Sequence, residues 1–460
     1  MIFSSLPFLF LFLPIVLALY YVVPERGKNL VLLAASILFY AWGEPVYVVL
    51  MLLSALWNYV LGLDIGRSQG QGKKVRLVLA LAVDLLLLGF FKYYGFCVET
   101  VNQLLGLSLP VRTLALPIGI SFYTFQTISY LVDVYRGTVQ AQRSFLKFAV
   151  YITMFPQLIA GPIVKYADIA AELEHRQVSL ACLWNGMPRF LKGLAKKVLL
   201  ANNLGLVYTT IQGLGERSVL TAWVGIAAYT LQIYFDFSGY SDMAVGLGRM
   251  LGFTFDENFR HPYVSRSVTE FWRRWHISLS SWFRDYVYIP LGGNRVTVGK
   301  HVRNLLIVWG LTGLWHGASW NFVLWGLYYG VLQLMEKYLL GKRLQKLPAA
   351  VQHVVTMVLV MMGWVLFSNT ELAAALTYLG ELFGFGAVGL VDTAGLYYLG
   401  SNLLLLGMGG LCASEIPGRM AHRLSQEKPV PMALASGGAV LLCVAYLVYS
   451  SYNPFLYFRF

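Results

Sequence analysis

Long apolar stretches separated by short clusters of charge dominate this chain. Runs near the ~20 residues that cross a hydrocarbon core as a helix occupy about 5–23, 29–43, 46–64, 77–95, 113–134, 198–213, 220–247, 302–336, 350–368, 396–413 and 432–450. The 302–336 run is long enough for two short crossings, so the pattern predicts about twelve crossings in all. Six basic stretches lie between the runs: Arg67–Arg76, Arg136–Lys147, Arg189–Lys197, Arg249–Arg303, Lys337–Lys346 and Arg419–Lys428. With both chain ends outside the cell, all six fall on one side, which the positive-inside rule assigns to the cytoplasm. The expected fold class is an all-α polytopic membrane protein, a single integral-membrane domain over 1–460.

Two segments break the pattern. Phe155-Pro-Gln-Leu-Ile-Ala-Gly-Pro162 is apolar but punctuated by two prolines and a glycine. Non-helical backbone at membrane depth survives only when buried in protein or lining a cavity, so a re-entrant element is expected there. Asn258 to Arg303 interleaves aromatic and basic residues. Helical spacing puts Phe271, Trp275, Ile277 and Trp282 near one side and Arg273, Arg274 and Arg284 elsewhere, the pattern of an interfacial amphipathic helix. At the N-terminus no Lys or Arg precedes the apolar run and no A-x-A-like site follows it, so an uncleaved span is expected rather than a signal peptide.

Composition narrows the class further. Of 460 residues 58% are hydrophobic and only 12% charged, against the ~25% charged of soluble domains, which excludes a soluble enzyme. Aromatic content of 15% excludes a disordered chain. The net charge of +13 fits cytoplasmic loops facing anionic lipid, and no nucleic-acid partner is expected. Cys97, Cys182, Cys412 and Cys443 are scattered singly, which suits small core residues and neither a metal site nor a disulfide framework.

The candidate chemistry is histidine chemistry. His175, His261, His301 and His422 sit in or beside basic segments, where a solvated surface ring is the default, and His353 opens an apolar run, where a structural role is expected. His316 is different. It is the sole acid or base in Gly310-Leu-Thr-Gly-Leu-Trp-His-Gly-Ala-Ser-Trp-Asn-Phe322, and glycines at 310, 313 and 317 thin the helix around it. An ionisable group inside a span is costly and functional by default, although a histidine bonded to a neighbouring carbonyl would serve structure alone. His276, in Phe271-Trp-Arg-Arg-Trp-His-Ile-Ser-Leu-Ser280, reads by itself as part of an interfacial aromatic belt. Asp84, Asp133, Asp236 and Asp242 fit a proton relay or pairing with arginine equally well. There is no G-x-S-x-G, P-loop or H-E-x-x-H pattern, which argues against a serine esterase, an ATPase and a zinc peptidase.

Taken together, Phe271–Ser280, Trp282-Phe-Arg-Asp-Tyr-Val-Tyr-Ile-Pro-Leu-Gly-Gly-Asn-Arg295 and Trp315-His316-Gly317 resemble the membrane-bound O-acyltransferase family, in its alginate- and peptidoglycan-acetylating branch. Pro117–Gln126, Phe155–Pro162, Tyr234–Asp242 and the closing Tyr457-Phe-Arg-Phe460 extend the match along nearly the whole chain. The resemblance implies a helical bundle with a central tunnel, in a bacterial cytoplasmic membrane, with His316 as the catalytic histidine and His276 as a second active-site histidine. The branch that moves D-alanine onto teichoic acids shares the histidine motifs but lacks the Pro290–Arg295 stretch, so it ranks second. A transporter using His316 and the acids as a relay is the rival from another class, and no inverted repeat supports it.

The expected mechanism needs no metal and no tightly bound cofactor. A neutral imidazole, pKa about 6.5 in water, takes the proton of an attacking hydroxyl as it adds to a thioester carbonyl; burial disfavours the charged ring. The donor is acetyl-CoA or another acyl thioester, such as one on an acyl carrier protein. The longest external segment, about Asn369 to Gly395, spans only 27 residues, below the ~40 at which isolated domains become possible. An extracytoplasmic acyltransferase partner is therefore expected to carry the group onward, with membrane lipid as surroundings.

Overall fold

The computed structural model describes the chain apart from residues 113, 160, 428, 451, 455 and 457–460 and the side chains of His422 and Pro429. The expectations for Ala160, the His422 ring, Lys428 and Tyr457–Phe460 therefore lie outside the described residues. Those residues form helices and their connections, with no strand. Four helices are long and apolar enough to cross a membrane: Tyr47–Arg67, Ala349–Ser368, Thr393–Cys412 and Val430–Tyr449. They expose Leu403, Leu404, Leu434 and Leu441, 62–75% accessible, on their outer faces. Patches of that size are tolerated when the solvent is hydrocarbon, not water.

The chain divides into two compact units. One comprises Met1–Phe190 with Tyr240–Glu257; the other comprises Leu191–Gly239 with Asn258–Phe460. The first is built on helices Glu25–Ala41, Tyr47–Arg67, Gly70–Leu105, Ile120–Arg136 and Phe145–Thr153. Phe3, Phe8, Phe12, Phe39 and Phe155 pack as a ring cluster with centroids 5.0–6.5 Å apart. The Phe155–Pro162 stretch, expected to be non-helical, begins with helix. A single helical turn, Phe155–Leu158, gives way to irregular backbone, and its side chains are buried. Ser36 Oγ accepts from the backbone N–H of Phe155, supplying a partner that the broken helix cannot. Asp242 belongs to this unit and pairs with Arg189, whose Nε donates to Oδ1 at 2.7 Å. Asp84 instead accepts from Asn58 at 2.9 Å and Thr127 at 3.1 Å.

The second unit carries both histidine motifs. The long apolar run at 302–336 folds as two helices, Val298–His316 and Trp320–Met335, turning at Gly317–Ser319. Two of the three glycines explain how closely they approach. A Cβ on Gly313 would lie 2.1 Å from the Phe322 carbonyl oxygen, and one on Gly317 would lie 2.2 Å from the Phe322 ring. Gly310 meets nothing nearer than 3.9 Å, so it plays no such part. On the helix facing them, a Cβ on Gly326 would fall 2.1 Å from the Trp309 carbonyl oxygen. Helix Ala349–Ser368 packs against Trp320–Met335.

The Asn369–Gly395 segment is not a bare loop: it contains helix Leu372–Leu382. Arg217 reaches Glu381 through two hydrogen bonds, of 2.7 and 3.2 Å. Asp392 caps the helix Thr393–Cys412 by accepting from Gly395 N–H, and also accepts from Ser218 and Thr221. The cysteines are free thiols, and only Cys443 is buried. The expectation that they serve as core residues fails for exposed Cys97, because an apolar position in a membrane helix faces lipid as readily as core.

Candidate active site

Helix Val298–His316 ends on His316, which the Gly317 break leaves at a helix terminus among aromatic rings. The imidazole is 4% exposed. Trp325 meets it edge-on with centroids 4.9 Å apart, and Phe367 does so at 5.2 Å. Ile233, Asp236, Phe237, Trp275, Trp364 and Leu456 complete the walls of a small pocket. Its free volume is about 10 Å³, roughly the room for one water.

Asp236 is the other ionisable group among the described residues of those walls, and its charge is balanced. Lys197 Nζ donates to Oδ1 at 2.5 Å, and the backbone N–H of Leu456 donates to Oδ2 at 2.9 Å. Lys197 also donates to the Pro454 carbonyl. Both side chains of the ion pair are 3% exposed. One lysine–aspartate pair thus straps Pro454 and Leu456 beside the histidine, with Asn202 and Asn453 adding a hydrogen bond of 3.3 Å. The carboxylate pairs with lysine rather than arginine, and the pairing reading wins over a relay at this position.

His276 is held differently. The single amphipathic helix expected here is two helices, Val268–Arg274 and Ile277–Phe283, broken at Trp275–His276. His276 sits in the left-handed region at φ 43°, ψ 56°, a conformation costing a non-glycine residue about 1–3 kcal/mol. Asn258 supports it. Its Oδ1 accepts from Ser278 N–H at 3.1 Å, from Ser278 Oγ at 2.9 Å and from His276 Nδ1 at 3.2 Å, while its carbonyl accepts from Ile277 N–H at 3.0 Å. A backbone N–H only donates, so the Asn258 atom must be its oxygen. His276 Nδ1 then carries the proton and Nε2 the lone pair. Burial pushes this imidazole down from its usual value to about 3, so it stays neutral at physiological pH.

The first of these helices is anchored at its start. Ser267 Oγ caps Glu270 N–H at 3.0 Å, and Glu336 accepts from Val268 N–H and Thr269 N–H. The apolar face is largely as expected, with Phe271, Trp275 and Trp282 buried and Arg273 and Arg284 exposed, whereas Ile277 and Arg274 are half-buried. The 290–295 stretch is pinned by Asn304, whose amide donates to the carbonyls of Leu291 and Gly293.

The two candidate histidines are neighbours across rings. Trp315 lies 5.9 Å from His276 and 4.9 Å from His316, and Phe237 is 4.6 Å from His276 while lining the His316 pocket. His276 itself is not among the pocket walls. His353 has the structural partner expected of it, with Nδ1 3.0 Å from the Ser265 carbonyl. His301 departs from expectation: it is buried, between the hydroxyls of Tyr288 and Tyr338 at 2.9 Å each, with Lys337 Nζ 3.2 Å away. Its two tyrosines lie 13 and 37 residues away in sequence, which is why the basic neighbourhood alone suggested solvent.

Fold and site together define a helical membrane protein with a buried imidazole in an aromatic pocket. Sequence comparison agrees: the pattern of the MBOAT, membrane-bound O-acyltransferase family, matches residues 139–376, which include both histidines. A probable alginate O-acetylase of Azotobacter vinelandii is 42% identical over the full length of both chains. A peptidoglycan O-acetyltransferase of Helicobacter pylori is 34% identical over 85% of this chain and 81% of its own. A teichoic acid D-alanyltransferase of Bacillus subtilis is more distant, 27% identical over 56% of this chain and 70% of its own. The chain belongs to the membrane-bound O-acyltransferase family and is an integral-membrane acyltransferase.

Proposed function

We propose that this chain is an O-acetyltransferase of a bacterial cytoplasmic membrane, passing an acetyl group from a cytoplasmic thioester toward an extracytoplasmic polymer. The observation that carries the reading is the His316 pocket: Asp236, the other ionisable wall residue, is neutralised by Lys197, which leaves the imidazole as the base. His316 takes the proton from an attacking hydroxyl as its oxygen bonds to the thioester carbonyl carbon. It returns that proton to the departing thiolate when the C–S bond breaks. The thioester supplies the driving force, so the step requires no metal. His276, neutral and fixed in one tautomer, orients the donor or polarises its carbonyl.

The pocket holds about one water, so it opens to admit any acyl group. Side chains must part even for acetyl, and a longer chain would demand more. Likeness to the alginate and peptidoglycan O-acetylating relatives favours acetyl over D-alanyl transfer. About twelve crossings, a tunnel through the bundle and cytoplasmic basic loops complete the proposal. Acetyl-CoA or an acyl carrier protein is the donor, and a separate extracytoplasmic transferase collects the group.

Reconstitution in vesicles tests the reading. The purified chain should consume acyl thioester, which a channel or transporter would not do. Efficient polymer acetylation by this chain alone would reject the partner. Cysteine labelling from outside at position 73 or 342 would reject the topology.

A further inference from the structure

We infer that the Trp325 indole N–H is a catalytic hydrogen-bond donor, placed to hold the oxyanion that forms when a hydroxyl attacks the thioester. The inference rests on the acyl-transfer reading of the same pocket. Its ground is a buried donor beside the proposed base. Trp325 is 1% exposed, and its Nε1 has no hydrogen-bond partner among the described residues. Other indoles of this unit are served: Trp223 donates to the Leu382 carbonyl at 2.9 Å and Trp309 to Gln333 at 3.2 Å. The Trp364 indole in the same pocket interacts with the Tyr263 hydroxyl but, like Trp325, makes no hydrogen bond of ordinary geometry among the described residues, and it does not meet the His316 ring as Trp325 does at 4.9 Å. Trp272 also lacks a partner, but it does not line the pocket.

A buried donor left unmatched is a standing penalty that needs an explanation. Trp325 is caged by rings, those of Trp272, His316, Tyr329, Trp364 and Phe367, with centroids 4.9–6.2 Å away. The Asp236 carboxylate in the same walls is committed to Lys197 and Leu456. The protein thus holds an indole donor without a protein acceptor among the described residues, in a small pocket beside the proposed base. That is the arrangement an oxyanion site requires: a dipole set in place before charge develops, at no cost of reorganisation.

The balance of the step is simple. The acceptor oxygen bonds to the acyl carbon, the C=O π pair moves onto oxygen, and His316 receives the hydroxyl proton. Trp325 N–H donates to the resulting oxyanion. Collapse restores C=O, breaks C–S, and sends the His316 proton to the thiolate. The indole never gives up its own proton, so its contribution carries no pH dependence of its own. A carbonyl bonded in the ground state is held more weakly than the oxyanion, so the donor acts on kcat more than on thioester affinity.

The test replaces Trp325 with benzothienylalanine, which keeps the ring shape and swaps N–H for sulfur, and in parallel makes Trp325→Phe. Each full-length protein is purified, reconstituted in vesicles and assayed for acetyl transfer from the thioester to an added sugar-alcohol acceptor, beside wild type and His316→Ala. The expected result is a kcat lower by about 10²–10³-fold, the effect of deleting one oxyanion donor, with KM for the thioester within a few-fold of wild type. The benzothienyl protein controls for Trp325→Phe, whose smaller ring leaves a gap. A benzothienyl protein with kcat within twofold of wild type overturns the inference while leaving the acyl-transfer reading intact. A wild-type protein with no thioester turnover overturns both.

Discussion

The two histidines of the second unit are buried to similar depth but fixed by different means. His316 sits at the end of a helix thinned by glycine and is enclosed by rings, with an ion-paired carboxylate in the same walls. His276 sits in a strained turn whose geometry depends on one asparagine, and its tautomer is set by that hydrogen bond. A hydrogen-bonded left-handed turn fixes orientation and tautomer together, which suits a group that aligns a substrate. We propose on this basis that proton transfer falls to His316 and orientation to His276.

Removing the base is the most severe way to probe that contrast. His316→Ala should lower polymer acetylation in cells by at least the ~10²–10⁴-fold typical of general acid–base catalysis, with membrane abundance unchanged. Near-normal acetylation would remove His316 from the role. Next comes the strap beside the pocket. Lys197→Met leaves Asp236 buried without its partner, which should destabilise the protein by about 3–5 kcal/mol, whereas Lys197→Met with Asp236→Leu should recover most of it. Thermal unfolding in detergent reads both; an unchanged melting point for the single variant would show that the ion pair does not hold Pro454 and Leu456.

Asn258→Ala tests the other side of the comparison. It deletes the acceptor shared by His276 and Ser278 and should cost about 1–3 kcal/mol. The thioester KM should rise as the His276 ring loses its fixed orientation, and a change confined to stability would make Asn258 a purely structural support. A last effect is on pH. His276 has a folded pKa of about 3, below the ~6.5 of an unfolded histidine, so the unfolded chain binds the extra proton. Its contribution to stability is complete above pH 6.5 and is lost as pH falls toward 3, by about 1.4 kcal/mol per unit. The melting point of His276→Gln should therefore fall less steeply between pH 6.5 and 5 than that of wild type, and parallel profiles would contradict the burial argument.

Much of this arrangement was legible from local sequence. The two helices within 302–336 follow from run length, and the isolation of His316 follows from the absence of any other acid or base between 310 and 322. The break at His276 was not legible, because 271–280 contains neither glycine nor proline and keeps a helical period. What bends it is Asn258, 18 residues earlier. Asp236 presents the same difficulty: its lysine is 39 residues away and its second partner 220, distances over which no periodicity carries information. Trp325 looked like any apolar helix residue, since only packing shows that its N–H lacks an acceptor.

Single-turnover consumption of a labelled acetyl thioester by the purified protein in vesicles separates the two histidines most directly. At saturating thioester, His316→Ala is predicted to abolish the chemical step. His276→Gln should mainly weaken thioester binding and still turn over at high concentration. A His316→Ala protein that consumes thioester at the wild-type rate would contradict the assignment of His316 as the base.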